Sequence, residues 1–237
     1  MTQLLLIRHA ETDMTGRFCG HSDPEINARG RLQLARLVSM LSQHTIRRVY
    51  TSDLRRAQQT AEAIAAQSGA RVHLRPSLRE IHFGRWEGLA WSDIQCRDSI
   101  LAKGWVEEYP NSTAPGGESF QLFALRVRRE FAFLLREAAE SPIAIVTHAG
   151  FIRVVLTSSC RVSEQEAWDR TKEYGSVVAL GTNNMGGLGI ETLISGHPEC
   201  WTGRAPRRIF EKAFGQTTRF STEHGCADET LSRKDTR

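Results

Sequence analysis

The feature that most constrains this chain is Leu4-Leu5-Leu6-Ile7-Arg8-His9-Ala10-Glu11-Thr12, an aliphatic run ending abruptly in a cation, an imidazole and a short acidic-polar turn. Four consecutive branched aliphatic residues without alternation suit a strand covered on both faces, as in a parallel sheet flanked by helices. Open sheets of that kind bind ligands beyond the carboxyl ends of their strands, where Arg8 and His9 fall. The pattern recurs. Ile143-Ala144-Ile145-Val146-Thr147 runs into His148-Ala149-Gly150, and Val49-Tyr50-Thr51-Ser52 leads into a helix whose first turn carries Arg55 and Arg56. Three strand ends then bring two imidazoles and at least one guanidinium to one sheet edge. That concentration of positive charge suits an anion, phosphate first.

The intervening segments fit the same architecture. Gly16 to Asn27 is turn-rich and can fold over the His9 strand end. From Ala28 to about Gln43, Leu34, Leu37, Val38 and Leu41 recur at helical spacing. Ser52 or Asp53 can cap the next helix, whose apolar stripe is Leu54, Ala57, Ala61, Ile64 and Ala65. Val72 to Leu74 reads as a short strand. From Leu78 to Gly117 periodicity is lost, which allows either a helical cap or a loop over the site. Glu118 to about Ala139 is the longest amphipathic helix, with Phe120, Phe123 and Phe131 assigned to the core. Phe151 to Leu156 begins another helix, and Val177–Leu180 and Ile190–Ile194 can add edge strands. The expected fold is α/β, three-layer α/β/α with a mostly parallel central sheet. Residues 1–196 form the expected domain, and 197–237 a partly disordered extension with one short amphipathic fragment at 207–214.

Bulk properties narrow the function. At 237 residues, 40% hydrophobic and 24% charged, the chain has an ordinary globular composition. The net charge of +4 is dispersed among acids, favouring acidic small molecules over nucleic acid. No leader or long apolar segment is visible, so no membrane partner is expected and the predicted location is cytoplasmic. Five cysteines with no metal-type spacing read as reduced thiols. Homodimerisation is compatible with everything above and required by nothing.

Breaking a phosphomonoester requires charge stabilisation, an in-line nucleophile and a proton for the leaving oxygen. Arginine suits the first, because its planar fork matches phosphate oxygens. A neutral imidazole can attack phosphorus and later release the phosphoryl group to water. A carboxylic acid suits the third. Taken alone, an Arg-His pair reads as an exposed strand end, His148 as a hydrogen-bonded histidine and Glu80 as a surface acid; their company changes the reading.

Arg8-His9-Ala10-Glu11-Thr12 resembles the Arg-His-Gly-Glu-Thr signature of the histidine phosphatase superfamily, the phosphoglycerate mutase-like enzymes. Ser52 to Ala61 resembles that family's second motif, Leu78 to Gly88 its acid-bearing motif, and Val146 to Gly150 its second-histidine motif, all in the family's order. The resemblance implies a phosphoglycerate mutase-like fold and a phosphohistidine on His9. It implies that Arg8, Arg56 and His148 hold the transferring phosphoryl group, and that Glu80 acts as general acid and then base. Thr12, Thr15, Cys19, Gly20 and Ala149 would complete the substrate pocket with Arg8 and Arg56. No metal and no cofactor is implied, and the expected partner is a small-molecule phosphate ester. Arg55 is expected to be a solvated neighbour.

Three positions depart from the pattern: Ala10 for glycine, Thr15 for a phosphate-touching asparagine, and Cys19 for a small hydroxyl or amide residue. Within the family, Gly20-His21-Ser22-Asp23-Pro24, Phe83 to Gly88 and Pro115 to Ser119 look most like the α-ribazole phosphatase and broad-specificity branch. A mutase would carry a lysine- and arginine-rich segment where Trp91 to Pro115 has only Arg97 and Lys103. The same residues leave room for a fructose-2,6-bisphosphatase-like enzyme and for a non-catalytic module that binds phosphate ligands. Trp86, Trp91 and Trp105 are read as packing residues, His21 and His82 as loop histidines near the pocket, and Gly116 to Ser119 equally as a helix start or a pocket rim.

Overall fold

In the computed structural model, which describes residues 4–182 and 188–194, the aliphatic run forms the strand β1 (Leu4–Arg8). Its lack of alternation has the expected cause. Leu4 and Leu6 enter one apolar cluster and Leu5 and Ile7 the other, each at most 1% exposed. Burying four such side chains on two faces contributes roughly 1.5–3 kcal/mol apiece.

The chain continues through α1 (Ala28–Leu41), β2 (Arg48–Thr51), α2 (Arg55–Ser68) and β3 (Arg71–Leu74). It then passes through α3 (Trp91–Arg97), α4 (Ser99–Glu107), α5 (Phe120–Glu140), β4 (Ile143–Thr147), α6 (Ala149–Ser159) and α7 (Glu164–Thr171). The last described strands are β5 (Val177–Thr182) and β6 (Leu188–Ile194). The sheet order is β3-β2-β4-β1-β5-β6. β3, β2, β4 and β1 run parallel, while β5 runs antiparallel to both β1 and β6. Helices α1 and α2 cover the face of Leu5 and Ile7, and α5 and α6 the face of Leu4 and Leu6. This is the expected three-layer arrangement.

Several details differ from the sequence expectation. The residues 177–180 lie inside the sheet, between β1 and β6, because β5 returns antiparallel beside the first strand. Neither Ser52 nor Asp53 provides the distant cap of α2: the Arg55 N–H donates to Asp23 Oδ1 at 2.6 Å, and the Asp53 carboxylate is held by Arg79 at 2.7 and 2.5 Å. The aperiodic stretch after Trp91 is two short helices. Ile94, Ala102 and Trp105 from it join Phe18, Trp86 and Ala114 in a third, smaller core, and Trp86 Nε1 donates to Asp98 at 2.8 Å. Gly116 to Ser119 is a helix start, with Ser119 Oγ accepting from the Leu122 N–H. The expected extension 197–237 and its fragment 207–214 lie outside the described residues.

Candidate active site

Strand register places the two histidines. Arg8 pairs with Thr147 across β1 and β4, and the His9 N–H donates to Thr147 O at 3.0 Å, so His9 and His148 leave adjacent strand ends together. Their ring centroids are 5.0 Å apart. His9 Nδ1 lies 2.7 Å from the Ala10 carbonyl, which can only accept, so Nδ1 carries the proton and Nε2 keeps its lone pair. Arg56, fully buried in the first turns of α2, puts Nε 3.3 Å from that Nε2 and Nη2 3.2 Å from His148 Nδ1.

Arg56 is seated by carbonyls from the loop after β1: Ser22 O at 2.5 Å, Gly20 O at 2.7 Å and Cys19 O at 3.3 Å. That loop is itself clamped by Glu87, whose carboxylate accepts from the N–H groups of Gly20, His21, Ser22 and Phe83 and from Ser22 Oγ, at 2.6 to 3.1 Å. Burial alone would raise the Glu87 pKa; the Ser22 hydroxyl and the backbone donors outweigh it and hold the group below the usual carboxylate range. The acid of the first motif, Glu11, has a different duty, accepting from Asn27 and Gln33 at 3.3 Å each.

Glu80 reaches the same place from the segment after the Pro76–Leu78 turn. Its carboxylate accepts from Ile81 N at 3.0 Å and from Gly150 N, at the start of α6, at 2.9 Å. Arg126 holds the segment by the carbonyls of Ser77, Arg79 and Glu80 at 2.9 to 3.2 Å, with Glu118 as its counterion. Arg8 donates to Thr171 O at 2.8 Å and Lys172 O at 2.7 Å, and its guanidinium lies 3.8 Å from the Tyr174 ring centroid.

The electrostatics follow from burial beside fixed cations. Burial first, then the charges of Arg56 and Arg8, hold His9 well below the usual histidine range; burial and Arg56 do the same to His148. Both imidazoles are therefore neutral at pH 7. Two buried polar atoms here, Arg8 Nε and His148 Nε2, have no partner among the described residues. Because Arg56 Nη2 donates to His148 Nδ1, the neutral His148 carries its proton on Nε2. Each such unpartnered donor costs about 1–3 kcal/mol, and an oxyanion is the ligand that satisfies both.

These groups border a cavity of about 380 Å³. Of the expected residues, Arg8, His9, Thr12, Thr15, Cys19, Glu80 and Ala149 line it. Arg56 and His148 lie beneath, in contact with one another and, for Arg56, with His9. Gly20 is placed behind Arg56 and does not line the cavity; a side chain there would meet Ile81 O at 2.2 Å. Arg55 is exposed and pairs with Glu25. His21 and His82 have ring centroids 4.8 Å apart, tilted by 56°, and are not in the lining. Trp105, Phe120 and Phe123 belong to the lining as well as to the packing, against the reading of all three as purely core residues.

Sequence reasoning missed Arg153, Trp168 and Tyr174. The Tyr174 ring lies 5.6 Å from His9, delivered by the loop before the antiparallel β5. Arg153 left one readable trace, a lone cation within the apolar run Phe151-Ile152-Arg153-Val154-Val155-Leu156. Among the described residues no three His, Cys, Asp or Glu side chains form a metal-holding group, and no helix is long and apolar enough to cross a membrane.

Known proteins are similar to this chain in sequence and fold. Adenosylcobalamin/alpha-ribazole phosphatase of Escherichia coli (strain K12) is 29% identical over 183 residues, 76% of this chain and 90% of that protein. Glucosyl-3-phosphoglycerate phosphatase of Mycobacterium tuberculosis (strain CDC 1551 / Oshkosh) is 32% identical over 161 residues, 63% of this chain and 71% of that one. The crystal structure of the alpha-ribazole phosphatase from Shigella flexneri matches with a TM-score of 0.74 at 29% identity, covering 81% of this chain and 96% of that one. The sequence model of the histidine phosphatase superfamily (branch 1) matches residues 4–190, four-fifths of the chain and every motif of the site, and the chain belongs to that superfamily.

Proposed function

We propose that this enzyme hydrolyses small phosphomonoesters through a phosphohistidine on His9. The observation that carries the reading is the His9 tautomer: with Nδ1 tied to Ala10 O, Nε2 keeps a lone pair, which here accepts only a 3.3 Å hydrogen bond from Arg56 Nε. In this reading Nε2 attacks phosphorus while Arg8, Arg56 and His148 balance the charge on the phosphoryl oxygens. Glu80 gives a proton to the leaving oxygen, then takes one from the water that attacks the phosphohistidine, and phosphate departs. Thr12, Thr15, Cys19 and Ala149 line the substrate's path.

The Escherichia coli and Shigella flexneri relatives are both named for α-ribazole, so α-ribazole 5′-phosphate heads the substrate panel. Hydrolysis is favoured over mutase chemistry because Arg97 and Lys103, the only basic residues from Trp91 to Pro115, are exposed and outside the cavity lining. In the same reading residues 1–196 form the phosphatase domain and 197–237 an appendage, the protein acts in the cytoplasm, and it needs neither nucleic acid nor a membrane.

The test is phosphate release from a panel of esters with chelator present, comparing the parent with His9→Ala. Release that survives the chelator and is lost in the variant is expected. Release that depends on added metal, or that persists in His9→Ala, overturns the mechanism; tight ester binding without turnover supports a binding module instead.

A further inference from the structure

The cavity extends past the phosphoryl end, and its wall there holds a cation that the proposed chemistry does not use. Arg153 lies on α6 five residues beyond His148, about 7 Å further along the helix axis. It lines the cavity, and two contacts fix it. Its Nε donates to Thr171 Oγ1 at 2.8 Å, and its guanidinium lies 3.7 Å from the Trp168 ring centroid. Thr171 gives its own proton to Ala167 O at 2.8 Å, so its oxygen is committed to receiving from Arg153.

What Arg153 lacks is a countercharge. Arg8 and Arg56, already assigned to the phosphoryl group, share that lack, whereas other half-buried arginines have a carboxylate: Arg48 with Glu137, Arg75 with Glu130, Arg79 with Asp53, Arg126 with Glu118. Among the cavity cations, Arg17 has Asp93 at 4.0 Å and Lys172 has Asp169 at 3.5 Å. Arg153 has no ion pair among the described residues, and no acceptor there meets its Nη atoms. Burial and the nearby Arg8 charge pull its pKa down to about 10, so it stays charged at pH 7 in a place that disfavours charge. Glu80 and Glu164 are the carboxylates lining the cavity; the Glu80 charge is felt at Arg153, but neither forms an ion pair or hydrogen bond with it among the described residues. A fixed fork of donors, stacked and unpaired, is built to receive an anion.

Resting on the phosphatase reading, we propose that Arg153 determines specificity by pairing with a second anionic group, a carboxylate or a second phosphate, on the leaving-group side of the substrate. Preferred esters then carry two anions, the phosphoryl group at His9 and the other at Arg153.

Matched esters test this: phenyl phosphate against 4-carboxyphenyl phosphate, glycerol 3-phosphate against 3-phosphoglycerate, and fructose 6-phosphate against fructose 1,6-bisphosphate. The parent is expected to favour the doubly anionic member of at least one pair by roughly 10- to 100-fold in kcat/KM, the scale of a charge-assisted hydrogen bond. The pair that responds tells carboxylate from phosphate. In Arg153→Met the preference should collapse to about twofold, through KM, and Arg153→Lys should restore part of it. Should Arg153→Met fail to fold, Thr171→Val, which removes the oxygen that orients Arg153, should weaken the same preference. A parent that hydrolyses phenyl phosphate without preferring any anionic partner, or a preference undiminished in the folded variants, overturns this assignment alone. Failure to hydrolyse every ester overturns the phosphatase reading and this inference with it.

Discussion

Gly150 offers the cleanest separation of chemistry from stability. A methyl group added there would sit 2.2 Å from Glu80 Oε1, while ordinary van der Waals contact begins at 3.4 Å, so the carboxyl must retreat by about 1.2 Å. The obstacle is the far end of a flexible side chain, and Gly150 occupies a helical position in α6, so the backbone can keep its course. Alanine in a helix gains roughly 0.5–1 kcal/mol over glycine, which leaves Gly150→Ala as stable as the parent or slightly more so. A displacement of that size at a proton donor costs about 100-fold in rate, or about 2.7 kcal/mol of barrier. The loss should depend on the ester: an alkyl phosphate needs its leaving oxygen protonated, whereas 4-nitrophenolate leaves readily without help. The assay is kcat/KM for both esters beside thermal melts of the two proteins. Equal activity on the alkyl ester, or an equal fall on both esters, would refute the assignment of Glu80 as the positioned acid.

Other perturbations probe the surroundings of that acid. Glu87→Ala removes the acceptor of five hydrogen bonds beneath the Arg56 seat and should lower stability by about 3 kcal/mol in urea unfolding, with KM rising; a variant as stable as the parent would show that the clamp is dispensable. Because His9 and His148 are held neutral in the folded protein, the unfolded chain binds more protons below its histidine pKa near 6.5. Stability should therefore fall as pH drops below 6.5, by up to about 2.7 kcal/mol per pH unit for the pair, and the fall should be shallower in a His9→Asn/His148→Asn variant; identical slopes would contradict the burial argument. Burial, aided by Glu87 and Glu80 and opposed by Arg56, raises the Cys19 thiol pKa, so alkylation should reach the exposed Cys96 first. Once mass spectrometry shows Cys19 labelled, turnover should drop, since Cys19 lines the cavity; full activity would count against its place there.

How much of the fold and site was legible in the sequence depended on how each residue is delivered. His9 and His148 follow directly from unalternating strands and the turn after them, so their spacing carries their position, whereas only the family resemblance chose Arg56 over Arg55. The core faces were equally readable: a stripe such as Phe123, Val127, Phe131 and Leu134 has one way to be buried. Residues contributed by tertiary packing were not readable. Tyr174 reaches His9 only because β5 runs antiparallel beside β1, and no local pattern states a strand's direction. The α2 cap came from Asp23, thirty-two residues before its donor, where a local rule looked to Ser52 and Asp53. The two short helices after Trp91 bury too few residues each to show a period, and only their shared packing with Phe18 and Trp86 explains them.

The position of β1 also sets how the protein must be made. β1 leaves the ribosome long before either of its partners, since Leu4 pairs with Ile143 on one side and Leu180 on the other. At 5–20 residues per second, the opening aliphatic run waits roughly 10 to 35 s for its second neighbour. During that time a segment fit for pairing with any exposed edge has none of its own. Closing so long a loop is slow, and the wait invites intermolecular association or a chaperone's hold. The same delay leaves the proposed site incomplete in nascent fragments: until β4 and the residue after it have been synthesised His9 has no His148 beside it.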